Sequence, residues 1–222
     1  MAAMIFDLDG TLIDTVYAHV FSWQQALAEN GLAIEAWRIH RRIGMSGGLF
    51  TRAVARELNL GRELTADEID HLARRHAQLF AQLMPAPRPL PGVLALLARL
   101  RAAGVPFGVA TSGSRPQINA SLELLGIGED VVVVGRNDVA RAKPSPDLFL
   151  ACQERLGVAK EECWVVGDAV WDVLAARRAG MLSVGLLTGG YGADELAQAG
   201  AYRIYRDPLE LLGSLDELGV LG

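Results

Sequence analysis

From Val93 onward the chain alternates segments of helical and strand pattern, and no other feature limits its fold so tightly. The segment VLALLARLRAAG precedes VPFGVAT, RPQINASLELLG precedes DVVVVG, PDLFLACQERLG precedes ECWVVGD, and DVLAARRAG precedes MLSVGLL. The helical stretches space their apolar residues at three and four. The strand stretches are short apolar runs rich in valine, the pattern of strands buried on both faces. Strands that alternate with helices join a parallel sheet through right-handed crossovers, so the predicted class is α/β. The opening MIFDLDGT carries a strand of the same kind and belongs to the same sheet.

Between that first strand and Val93 the rhythm is different. In TVYAHVFSWQQALAENG the residues Val16, Val20, Trp23 and Leu27 lie three and four apart, and the helix ends at Asn30–Gly31. IEAWRIHRRI, the loop GMSGG and the helix LFTRAVARELNLG follow. Thr65 and Glu68 form a capping-box pattern at the start of ADEIDHLARRHAQLFAQLM. PAPRPLPG, from Pro85 to Gly92, has four prolines in eight residues and reads as a stiff connector. The predicted organisation is an α/β core from residues 1–14 and 91–222, an inserted all-α cap over 15–84, and a linker at 85–90.

The 222 residues suffice for a substantial core, and 51% hydrophobic with 21% charged content marks a globular chain. The net charge of -5, with no basic run, argues against a nucleic-acid partner but leaves room for small anionic substrates. No apolar stretch is long enough to span a bilayer, and Asp7 falls before any signal-peptide apolar region develops. The two cysteines, Cys152 and Cys163, form no CxxC pair and read as buried reduced thiols. These features point to a soluble, cytoplasmic protein. No pattern in the sequence reports the oligomeric state.

In doubly wound sheets ligands bind beyond the carboxyl ends of the strands. Those ends carry Asp7, Asp9 and Thr11 after the first strand, Thr111 and Ser112 after VPFGVA, Lys143 in RAKPSPD, and Asp168 with Asp172 after WVVG. Strand alternation places Asp7 and Asp9 on one side, and Asp168 joins them if its strand neighbours the first. Two like charges about 4 Å apart cost roughly 4 kcal/mol at an effective dielectric near 20. Such a rim requires a proton or a cation, and an all-oxygen donor set suits Mg²⁺. With Lys143 and the amides after Thr111, the pocket fits a phosphoryl group. One aspartate then serves as nucleophile and the other as acid and base.

The segments DLDGT, ATSGS, KPSPD and GDAVWD resemble, in order, the four motifs of the haloacid dehalogenase-like superfamily. The resemblance spans the chain, including the helical insertion, and implies a Rossmann-like core with a helical cap, as in the phosphoglycolate phosphatase and β-phosphoglucomutase branches. By motif position, Asp7 is the nucleophile and a Mg²⁺ ligand. Asp9 is the general acid/base and binds the metal through its backbone carbonyl. Asp168 completes the metal site, and Asp172 is a further candidate beside it. Thr111 and Lys143 hold the phosphoryl group, and Ser112 and Gly10 contribute backbone N–H groups. The presence of Asp9 argues against dehalogenation, which needs no proton. The implied activity is a Mg²⁺-dependent phosphatase acting on a small phosphorylated metabolite through an aspartyl-phosphate. A sugar phosphomutase and an inactive ligand-binding or regulatory module are the alternatives.

In the cap, His19 matches a mutase-branch position beside Asp9, and the loop Ile43–Gly48, with Ser46, is the candidate substrate contact. His71 and His76 read as solvated surface. Trp171 either lines the pocket or packs. LLTGGYG either borders the rim or, more simply, reads as a turn before the helix ADELAQAG.

Overall fold

The computed structural model describes residues 2–84 and 86–221. Met1 and Gly222, the outer ends of the predicted core, and Pro85, the first residue of the predicted linker, lie outside the described residues. The chain divides into two compact units, Met1–Asp14 with Arg88–Gly222, and Thr15–Pro87.

The first unit is built on six parallel strands: β1 (Ala3–Phe6), β2 (Phe107–Ala110), β3 (Val132–Val134), β4 (Cys163–Gly167), β5 (Leu182–Leu186) and β6 (Arg203–Tyr205). Their order across the sheet is β3-β2-β1-β4-β5-β6, the Rossmann arrangement. The apolar runs behave as buried strands should. In β1, Met4 and Phe6 enter one core layer with Val93, Leu96, Leu97 and Leu100 of α5 (Val93–Ala102). Ala3 and Ile5 point into the opposite layer, with Phe149 and Cys152 of α7 (Asp147–Leu156) and Ala175 and Ala176 of α8 (Val170–Ala179). The direction of the chain across the sheet reverses between β1 and β4, and such a reversal opens a crevice at the carboxyl ends of the strands.

The sequence pattern did not disclose β6 or the helix that follows it, α10 (Pro208–Gly213). β6 is three residues long and lies at the sheet edge with Arg203 exposed, so it has neither the length nor the apolar continuity of the inner strands. Asp207 caps α10, its Oδ1 accepting the Glu210 N–H at 2.9 Å, with Pro208 at the first helical position.

The insertion leaves and rejoins this unit at one place. Asp14 N–H donates to the Arg88 carbonyl and Leu90 N–H to the Leu12 carbonyl, each at 3.0 Å. Ile13 pairs antiparallel with Pro89 between them.

The second unit holds α1 (Val16–Ala28), α2 (Ala36–His40), α3 (Gly47–Glu57) and α4 (Ala66–Leu83) around Trp23, Leu27, Ile39, Phe50, Val54 and Leu72. The Thr65–Glu68 capping box is present, the Thr65 hydroxyl accepting the Glu68 N–H at 3.2 Å. Two expectations are corrected here. IEAWRIHRRI is helical only over Ala36–His40, and Arg41–Gly44 form turns ending at Gly44, whose φ of 93° lies in the left-handed region. Gly47 and Gly48 belong to the first turn of α3 and not to a loop. His71 is exposed as expected, but His76 is buried. Its ring stacks on Trp23 with centroids 4.2 Å apart, and its Nε2 lies 3.1 Å from His19 Nδ1, so one imidazole donates to the other. That hydrogen bond is what makes a polar ring acceptable inside the helical core.

The Asp207 cap supplies a test of the local reading. The Glu210 N–H bond holds the Asp207 carboxyl below its ordinary value of 3.8 despite partial desolvation. Its stabilisation is complete above that ordinary value and fades as pH falls through the depressed one. We expect Asp207→Ala to cost about 1 kcal/mol at pH 7 by urea denaturation. Asp207→Asn should retain most of the capping and lose its pH dependence.

Candidate active site

The carboxyl ends of β1 and β4 bring the first two acids together. Asp7 follows Phe6, which pairs with Val166, and the Asp7 N–H continues the ladder to the Val166 carbonyl at 2.9 Å. Asp168 follows Gly167 at the end of β4. A third acid comes from the first turn of α8, where Asp172 Oδ2 accepts the Ala169 N–H at 3.0 Å. Gly167 makes room for it: a Cβ there would stand 2.3 Å from the Cβ of Asp172 and 2.7 Å from its Oδ2. All three acids are buried, and each offers an oxygen within 4.8 Å of the others.

One ammonium serves this group. Lys143 is fully buried, with Nζ 2.5 Å from Asp7 Oδ1 and 2.9 Å from Asp172 Oδ1, over the face of Phe149. Asp168 is held differently, its Oδ1 accepting the Thr11 hydroxyl at 2.7 Å. Burial pushes the Asp7 carboxyl up to about 7, against the pull of Lys143, and the charges of Asp172 and Asp9 push it the same way. Burial, then the charges of Asp172 and Asp7, raise Asp168 well above the ordinary carboxylate range. Burial would depress Lys143, but the charges of Asp172 and Asp7 outweigh it and hold the ammonium protonated.

Three carboxylates against one ammonium leave two negative charges uncompensated when all are ionised. Excess charge and an all-oxygen donor set together fit a hard divalent cation.

The other rim residues surround this cluster. Thr111 follows β2 and is buried, its hydroxyl oxygen accepting the Gly113 N–H at 3.0 Å. Ser112 comes next and is half-buried. Gly10 adopts a φ of 83° that favours glycine, and its N–H donates to the Ile13 carbonyl at 2.7 Å. Asp9 is half-buried, outside the tight group of three acids, with its charge felt at Asp7. His19 and Ser46 belong to the helical unit. His19 faces His76 and stacks on Phe80, and Ser46 is the buried residue before α3. Trp171 is partly buried and packs against the cluster of Val173, Tyr191 and Leu196.

LLTGGYG forms the expected turn and also borders the rim. The Thr188 hydroxyl donates to the Gly10 carbonyl at 2.5 Å, and a Cβ on Gly189 would stand 1.9 Å from Asp168 Oδ2. Both residues were within reach of the search that found the others, since they follow the carboxyl end of β5.

Comparison with known proteins decides the family. A profile for haloacid dehalogenase-like hydrolases matches residues 1–180. The chain belongs to the haloacid dehalogenase-like hydrolases. It is 34% identical to a phosphoglycolate phosphatase of Rhodospirillum rubrum, over 92% of this chain and 87% of that protein. It is also 34% identical to hexitol phosphatase A of Escherichia coli, over 79% and 78%. The crystal structure of a hydrolase from Pseudomonas syringae superposes with a TM-score of 0.93 at 43% identity, covering 98% of this chain and 99% of that one.

This haloacid dehalogenase-like hydrolase should depend on Lys143 for stability as well as chemistry. Lys143→Met leaves buried carboxylates without their cation and should cost about 3–5 kcal/mol in urea denaturation with chelator present. A loss below about 1 kcal/mol would mean that the acids are already neutral in the resting protein.

Proposed function

We propose that this phosphomonoester hydrolase requires Mg²⁺ and works through an aspartyl-phosphate on Asp7, with a small phosphorylated metabolite as substrate. The observation that carries the reading is the gathering of Asp7, Asp168 and Asp172 around Lys143 at the sheet's reversal point. Asp7, Asp168 and the Asp9 backbone carbonyl would hold the cation, with Asp172 beside them. When bound, the cation neutralises charge on the acids and on the phosphoryl oxygens.

Asp7 attacks phosphorus in line, forming an acyl phosphate as the substrate P–O bond breaks. Asp9 gives its proton to the departing alkoxide. It then takes a proton from the water that attacks the phosphorus, which frees inorganic phosphate and restores Asp7. Lys143, ion-paired to Asp7, draws the nucleophile toward its ionised form and meets the phosphoryl oxygens. Thr111, with the backbone N–H group of Ser112, orients the remaining oxygens; the Gly10 N–H, expected to join them, is already given to the Ile13 carbonyl.

Hydrolysis is favoured over mutase chemistry because a phosphoglycolate phosphatase and a hexitol phosphatase are each 34% identical to this chain. The β-phosphoglucomutase of Bacteroides vulgatus, at 24% identity and a TM-score of 0.90, shares the fold alone. The complete acid–lysine set argues against an inactive module. Substrate choice is assigned to the helical cap, with the segment Ile43–Gly48 and its Ser46 as the candidate contact. The cytoplasm remains the proposed compartment. Burial raises the Cys152 and Cys163 thiols to about 12 and about 11, as suits inert reduced cysteines. Among the described residues no helix is long and apolar enough to cross a membrane.

Asp7→Asn should abolish turnover of an aryl phosphate with Mg²⁺ while leaving the circular dichroism spectrum unchanged. Activity near the wild-type rate would refute the nucleophile assignment. Asp9→Asn should slow alkyl phosphates by about 10²–10⁴-fold and aryl phosphates, which leave without a proton, far less. Equal losses would remove the acid role. Hexose 1-phosphate converted to the 6-phosphate without release of phosphate would establish the mutase instead.

A further inference from the structure

We propose that Thr188 and Gly189 are positioning residues of the catalytic centre: the turn they form after β5 fixes the Asp168 carboxylate and the Gly10 peptide in the arrangement that receives the divalent cation. The inference rests on the reading of Asp168 as a ligand of that cation.

β5 lies beside β4 with Gly185 opposite Gly167, so the two strands deliver their following residues to the same rim. After β5 the chain makes a single 3₁₀ turn over Leu187–Gly189. Gly190, with a φ of 84°, ends it. That residue is glycine for its backbone conformation. Gly189 is not among the residues with positive φ, so conformation does not explain it. Space does. A Cβ at position 189 would lie 1.9 Å from Oδ2, 2.7 Å from Cγ and 2.8 Å from Cβ of Asp168. The whole carboxyl group occupies the place where a side chain would be.

Asp168 has little room to retreat. It is buried, and its Oδ1 is tied to the Thr11 hydroxyl at 2.7 Å. Rotating the carboxyl away from a new methyl group strains or breaks that bond. The alternative is for the turn to move, and the turn is anchored by the Thr188 hydroxyl on the Gly10 carbonyl at 2.5 Å. Gly10 follows Asp9 directly, so displacing the turn also disturbs the peptide beside the proposed acid/base. Either response to a side chain at position 189 is felt in the same centre. A turn that served only to connect β5 to α9 (Ala193–Ala199) would need neither the missing side chain at 189 nor a hydroxyl at 188.

The test measures the cation directly. Mg²⁺ is titrated calorimetrically into the metal-free full-length protein and its Gly189→Ala, Thr188→Val, Thr188→Ser and Asp168→Asn variants. We expect Gly189→Ala to weaken Mg²⁺ binding by about 10–100-fold, the range for groups that orient metal ligands. Thr188→Val should weaken it by about tenfold, and Thr188→Ser, which keeps the hydroxyl, should stay within about twofold of wild type. At saturating Mg²⁺ the KM for an aryl phosphate should change little, which a general loosening of the fold would not allow. Wild-type Mg²⁺ affinity in both Gly189→Ala and Thr188→Val, with affinity lost in Asp168→Asn, overturns the positioning role and leaves the ligand reading intact. Unchanged affinity in Asp168→Asn overturns the ligand reading and this inference together. Should Gly189→Ala not fold, the Thr188→Val and Thr188→Ser pair decides.

Discussion

Three buried carboxylates sharing one buried ammonium is an arrangement that folding alone does not favour. Each charge removed from water costs several kcal/mol unless it is closely paired, and here the pairs do not balance. The protein accepts this imbalance at one point and supports it from every side. β1 and β4 bring Asp7 and Asp168 to the same rim, α8 adds Asp172 from its first turn, and Lys143 is carried in on the segment before α7. The surrounding core is ordinary by comparison, with apolar layers on both faces of the sheet. Burial above all, with the charges of Asp172 and Asp9, raises the Asp7 carboxyl toward neutrality against the pull of Lys143.

The inner strands were legible because each is a short, continuous apolar run, and a strand buried on both faces leaves little else to read. The helical insertion was legible by contrast with them. β6 was not, because an exposed edge strand of three residues has no distinguishing pattern. Asp7, Asp9, Thr111, Lys143 and Asp168 stood out because ionisable and hydroxyl residues directly after apolar strands are conspicuous. What the sequence did not disclose is how the backbone accommodates them. Gly189 and Gly190 look alike on the page, yet one is glycine for space and the other for its φ. Only the path of a neighbouring chain separates the two cases.

His76 failed for a related reason. Arg74 and Arg75 precede it and Gln78 follows, so it reads as part of a polar helix face. In three dimensions the helix turns that one position toward Trp23 and His19, where an imidazole completes an aromatic stack and finds a hydrogen-bond partner. A polar residue inside a helical core is recognisable only together with the group that satisfies it.

The neck through which the insertion leaves and returns has a consequence for how such a chain can change. Asp14 and Arg88 meet backbone to backbone, with Leu12 and Leu90 meeting one step earlier. The sheet therefore closes on itself without regard to how many residues lie between those points. Residues from Thr15 to Pro87 form a detachable module in the architectural sense. Lengthening, shortening or exchanging it leaves the spacing of the acids untouched.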